Sequence, residues 1–113
     1  MRRTWRLRPS PIVSLIQQSG LMHSLQVIPA RDAQVHELTR LHSASYVAKV
    51  EQIALAGGGD TGIGAPISSN GWAAARRSAG CALTAVDTVM QGQAQTAYAL
   101  TRPPGHHAEP EQG

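Results

Sequence analysis

The longest unbroken periodicity in the chain runs from about Trp72 to Met90, and everything else must pack against it. Trp72, Ala75, Ala79, Leu83, Val86 and Met90 recur at helical spacing and form one apolar stripe. Ser69 or Asn70 is placed to cap its start. Gly80 interrupts an otherwise strong helix former, and its position predicts close packing against a neighbouring segment. The stripe is rich in alanine and the chain has no Phe, with aromatics at only 4% of 113 residues. Alanine buries little area, so any core built on this helix is thin.

The remaining elements follow from the same patterning. Pro11 to Ser19 carries Ile12, Leu15 and Ile16 at helical spacing, with Pro11 suited to a first turn and Gly20 to a stop. "SLQVIPA" at 24–30 alternates and predicts a short strand. Asp32 is a candidate N-cap ahead of Val35, Leu38 and Leu41. Ser43 is a candidate cap for a further helix with Tyr46, Val47, Val50, Ile53 and Ala54 inward. "GGG" at 57–59 ends that helix, and residues 57–71 lose all periodicity and predict a loop. "TAYALT" at 96–101 has the length of a strand, and Arg102-Pro103-Pro104-Gly105 breaks it. This order predicts an α/β fold of a few parallel strands with helical crossovers.

Composition narrows the class. Hydrophobic residues make up 42% and charged residues 15%, which argues against a wholly disordered chain. The net charge of +3 is concentrated at one end: Arg2, Arg3, Arg6 and Arg8 fall in the first eight positions. Residues 1–10 therefore read as a basic leader, and residues 11–113 as the folded unit. No base-stacking aromatics or recognition helix accompany the arginines, so specific nucleic-acid binding is not expected. No apolar run approaches bilayer length, and "MRRTWRLR" leads into a stretch too short and broken for a signal peptide. The expectation is a cytoplasmic protein that engages no membrane. Cys81 is the single cysteine, lies in the alanine-rich helix and reads as a small buried hydrophobe.

Chemistry concentrates in "PPGHHA". In open α/β sheets, ligands gather beyond the carboxyl ends of strands, and His106 and His107 sit just past the last predicted strand. Imidazoles titrate near neutral pH and can take a proton from water or give one to a leaving group. Adjacent histidines rarely share one metal ion, and His23, His36, His42 and the scattered carboxylates form no ligand cluster with them. His36 and His42 read as structural histidines near helix ends. "GGGDTGIG" lacks the ending of a phosphate loop and follows no predicted strand. Asp60 within it is either a turn former or a substrate hydrogen-bond acceptor on a rim. On residue logic alone, the histidine pair stays open between a plain loop and a catalytic one.

The string "AYALTRPPGHHAEPEQG" closely resembles the catalytic loop of the histone deacetylase superfamily, especially the class II type. The resemblance takes in the bacterial relatives of that type, the histone deacetylase-like amidohydrolases and acetylpolyamine amidohydrolases. Upstream, "ARDAQVHELTRLHSASYVAKV" is similar to the family segment that ends His-Ser-x-x-Tyr, here His42, Ser43 and Tyr46. "GGGDT" and "AAARRSAGCALTAVDTVMQG" look like its Asp-Thr loop and Ala/Gly-rich helix. The resemblance implies a zinc-dependent amidohydrolase on an arginase-like three-layer α/β fold, acting on acetyl-lysine or acetylated amines. It assigns His106 to orienting water and stabilising charge, His107 to general base and then general acid, and Asp60 to holding the substrate backbone. The family's zinc ligands, an Asp-x-His pair and a later Asp, lie well downstream of the tandem histidines. The resemblance therefore covers the N-terminal part of a deacetylase domain, truncated after the tandem-histidine loop. No zinc is expected to bind this chain alone, and no turnover by it alone is expected. The other reading is a non-catalytic, degenerate module that binds a partner chain, since uncovered sheet edges and helix faces favour self-association or a complementary chain.

Overall fold

The computed structural model describes residues 11–62, 65–105 and 107–112. The leader at 1–10, with its four arginines, and His106 lie outside the described residues. The elements are α1 (Pro11–Gln18), a 3-10 turn (Leu21–Ser24), α2 (Val35–Leu38), α3 (Ala44–Leu55), β1 (Gly58–Asp60), β2 (Pro66–Ser68) and α4 (Gly71–Met90). The mixture of helices with a small sheet is α/β in content.

The sheet is not the one the sequence predicts. Its two strands pair antiparallel, with Gly58 opposite Ser68, Gly59 opposite Ile67 and Asp60 opposite Pro66. They form a hairpin inside the segment expected to be a loop. Gly58 makes this possible: its φ of 112° is left-handed, and a Cβ there would stand 2.7 Å from the Ile67 carbonyl oxygen. The expected parallel strands at 24–30 and 96–101 are a correction. Ser24 closes the 3-10 turn, and residues 25–30 and 96–101 carry no strand pairing among the described residues. Strand character needs a hydrogen-bonded neighbour, and alternation supplies only the willingness to accept one.

The longest helix behaves as its stripe predicts. A Cβ at Gly80 would collide with the Arg31 carbonyl oxygen and would stand 2.8 Å from the Ala33 amide. The bare backbone of α4 thus lets the extended segment 30–34 lie directly upon it, and Ala33 there is fully buried. Hydrogen bonds stitch the two together. The Ala33 amide donates to the Arg76 carbonyl and Arg76 Nε donates back to the Ala33 carbonyl, each at 2.9 Å. The Arg31 amide donates to Thr84 Oγ1 at 3.3 Å.

Charge reinforces this seam. The Arg31 guanidinium grips Glu37 with both branches, at 2.6 and 2.8 Å, and reaches Asp87 on α4 at 3.3 Å. That bidentate grip, aided by the Gln34 amide, holds the Glu37 carboxyl down at about 2. The same partners hold the Arg31 guanidinium above its ordinary range. Asp32 does not cap a helix, because Arg77 Nε claims its carboxylate at 2.6 Å and holds its pKa below the usual value. Gln34 takes the N-cap instead, its amide donating to Glu37 Oε1 at 2.9 Å, and α2 is one turn long.

Ser43 caps α3 as expected, its Oγ accepting from the Tyr46 amide at 3.1 Å. The hairpin packs on α3 and, through β2, on α4, which also meets α3. The core is as thin as the composition implies: among the described residues, Ala33, Tyr46, Val47 and Ala54 are the buried hydrophobic ones, and Thr61 and Thr88 are buried too. No described helix is long and apolar enough to cross a membrane.

Candidate active site

The loop that carries the histidine pair is tied down on both sides of it. On the near side, Ser78 Oγ on α4 donates to the Pro103 carbonyl at 2.8 Å, beside a cis Arg102–Pro103 peptide bond. On the far side the loop docks against the start of α3. The Ser43 amide donates to the Pro110 carbonyl at 2.9 Å, and His42 Nδ1 lies 2.7 Å from the Glu109 carbonyl oxygen. Between these ties, the Ala108 amide donates to the Gly105 carbonyl at 3.0 Å and closes a tight turn. His107 belongs to this turn and is exposed. Beyond it, Glu109 and Gln112 exchange both backbone hydrogen bonds, at 2.7 and 3.2 Å.

Asp60 sits at the tip of β1. Its Oδ1 accepts from the Gly62 amide at 2.9 Å and the Ala65 amide at 3.2 Å, so the carboxylate organises its own loop. Both readings of this residue remain compatible with that geometry, because the turn occupies one oxygen of an exposed side chain. The Asp60 loop also lies next to the histidine loop: a Cβ at Gly62 would stand 4.0 Å from Gln112 Cγ. The fold thus brings together Gly62 and Gln112, which the sequence separates by fifty residues.

No three His, Cys, Asp or Glu side chains among the described residues are grouped to hold an ion. The described residues by themselves therefore do not make up a zinc site. Cys81 is half-buried on α4 and carries a free thiol.

The ties at Ser78 and His42 are not visible as a motif in the sequence. Ser78 left no signal beyond its place on the long helix. His42 did leave one, its position immediately before the cap of α3, where its ring packs on Tyr46 at a centroid distance of 5.0 Å.

The histone deacetylase domain profile matches residues 3–113. A histone deacetylase-like amidohydrolase of Pseudomonas aeruginosa is 44% identical over 99 residues, which is 88% of this chain and 26% of that protein. The polyamine deacetylase of Homo sapiens is 35% identical over 103 residues, 83% of this chain and 15% of that protein. A histone deacetylase of Arabidopsis thaliana is 29% identical over 102 residues, 89% of this chain and 27% of that protein. The chain spans about a quarter or less of the length of these curated relatives. A match running almost end to end, into which the His-Ser-x-x-Tyr segment, the Asp-Thr loop and the tandem histidines fall in order, leaves one assignment: the chain belongs to the histone deacetylase family.

Proposed function

We propose that this chain supplies the tandem-histidine side of a zinc-dependent amidohydrolase site that removes acetyl groups from acetyl-lysine or acetylated amines. The observation that supports this most directly is the histidine loop itself, tied to α4 at Pro103 and to the start of α3 at Glu109 and Pro110. A proton-transfer group works only when held at a fixed distance from its target, and two-sided anchoring is how a loop achieves that. In this reading His107 is the general base and then general acid. His106 orients the attacking water, and Asp60 offers its exposed carboxylate to the substrate backbone. The metal's part, Lewis acidity and an acidified water, requires ligands other than the described residues. We further propose that residues 24–30 and 96–101 take their places in a parallel, arginase-like sheet when the remaining part of such a domain flanks them.

The test is acetate release from an acetyl-lysine peptide and from an acetylated polyamine, with zinc supplied. The chain alone is expected to release none. A chimera in which it replaces the matching residues of the Pseudomonas relative is expected to be active. That activity should fall by about a hundredfold or more in His107→Ala, the ordinary contribution of a general acid–base group. A chimera indifferent to both His106→Ala and His107→Ala would refute the assignment.

A second reading, a module that binds a partner chain, draws on the apolar face of α4, where Val86 and Met90 are 58% and 79% exposed. Sedimentation of the purified chain distinguishes it: a monomer at all concentrations removes self-association.

A further inference from the structure

Among the described histidines, His42 reaches from the scaffold into the loop bearing the pair. Its ring rests on Tyr46 of α3, which is only 7% exposed, so the orientation of the imidazole is set by a core side chain. Its Nδ1 points at the Glu109 carbonyl oxygen, two residues beyond His107, at 2.7 Å. A carbonyl oxygen can only accept, so Nδ1 must carry the proton. The adjacent Ser43 divides its labour: its hydroxyl caps α3, while its amide holds the Pro110 carbonyl. His42 and Ser43 together therefore make a two-pronged dock, side chain and main chain, for the far end of the loop.

We propose that His42 is a positioning residue for the tandem histidines, fixing the Nδ1–H tautomer of its own ring in order to hold the loop on α3. This rests on the reading of His106 and His107 as proton-transfer groups, but the dock can be tested apart from it. The ring nitrogens report first. In the purified chain, nitrogen NMR of His42 should show a protonated Nδ1 and a bare Nε2, the reverse of the tautomer that free imidazole side chains favour. A protonated Nε2 with a bare Nδ1 overturns the proposal in the unmutated protein.

Two variants then separate positioning from mere packing. His42→Ala removes the donor, and hydrogen exchange at the Ala108 and Gln112 amides should quicken by about tenfold, the factor that one hydrogen bond of ordinary strength is worth. His42→Asn places a side-chain amide near the Nδ1 position and should restore protection, which a purely space-filling role for the ring would not. Amides within α3 serve as the control and should exchange unchanged in both. Unchanged exchange at Ala108 and Gln112 in His42→Ala refutes the dock. In the chimera, His42→Ala should lower kcat with little change in KM, and His42→Asn should recover it. If the loop loosens as expected while turnover ignores His107→Ala, the dock stands and the proton-transfer reading falls.

Discussion

Replacing Gly80 by Ala sets two effects of opposite sign against each other. By intrinsic propensity, the change should stabilise α4 by about 1 kcal/mol, because glycine is the costlier residue in a helix interior. The structure opposes it. The new methyl collides with the Arg31 carbonyl oxygen and lies 2.8 Å from the Ala33 amide, and both neighbours are backbone atoms that cannot swing aside. Relief requires segment 30–34 to lift off the helix. Three hydrogen bonds weaken when it does: the two between Ala33 and Arg76, and that from the Arg31 amide to Thr84. At about 1 kcal/mol each, they amount to about 3 kcal/mol, so the net loss is about 2 kcal/mol. With a urea m-value of about 1.5 kcal/mol/M, the unfolding midpoint should drop by roughly 1 M. Far-UV circular dichroism during urea titration of the purified chain reads this directly. Ala82→Gly, at an exposed position on the same helix, isolates the propensity effect and should cost about 1 kcal/mol. A Gly80→Ala midpoint equal to or above that of the unmutated chain would refute the close approach.

Two further predictions concern the scaffold. The Glu37 carboxyl is held at about 2 against an ordinary value of 4.5, so its contribution to stability is present above pH 4.5 and is lost as the pH falls toward 2. Urea midpoints measured across that window should decline, and Glu37→Gln should flatten the decline. Ser43→Ala removes the α3 cap and should cost about 1 kcal/mol, whereas Ser43→Asp should retain most of the stability. Equal midpoints for the alanine and aspartate variants would show that the cap contributes nothing.

What could be read from the sequence divides by how local the causes are. Helices α1, α3 and α4 were legible because their periodicity, the Ser43 cap and the terminating glycines act within a few residues. The Gly80 packing was legible too, since a glycine in a helix interior costs stability unless something lies against it. The start of α2 was not, because whether Asp32 caps a helix or pairs with an arginine depends on Arg77, forty-five residues away. The hairpin escaped because "GGD" and "PIS" are three residues each and carry only one β-branched residue, Ile67, among glycines, a proline and polar residues. The runs at 24–30 and 96–101 failed in the opposite sense. They have strand-like sequences, but Val27 and Tyr98 are 74% and 87% exposed, and no strand lies beside them among the described residues. Of the candidate site, the string of residues was legible and its tethers were not. A hydrogen bond from Ser78 to a backbone carbonyl twenty-five residues on leaves no compositional trace.

The tethers also explain why the hairpin matters to the site. The histidine loop is held at one end by α4, through Ser78, and at the other by the start of α3, through His42 and Ser43. Two anchors on different helices fix a loop only if the helices are fixed to each other. The hairpin does much of that: the Ile53 side chain of α3 lies where a Cβ on Gly59 would meet it at 3.1 Å, and Ile67 of β2 packs against Gly71 at the start of α4. The same hairpin carries Asp60 at the end of β1, and Gly62, two residues on, faces Gln112. A small antiparallel sheet thereby couples the spacing of the helices, the span of the histidine loop and the position of the carboxylate. A larger residue at Gly59 or Gly71 should therefore disturb the loop amides as well as overall stability, although neither glycine touches the loop.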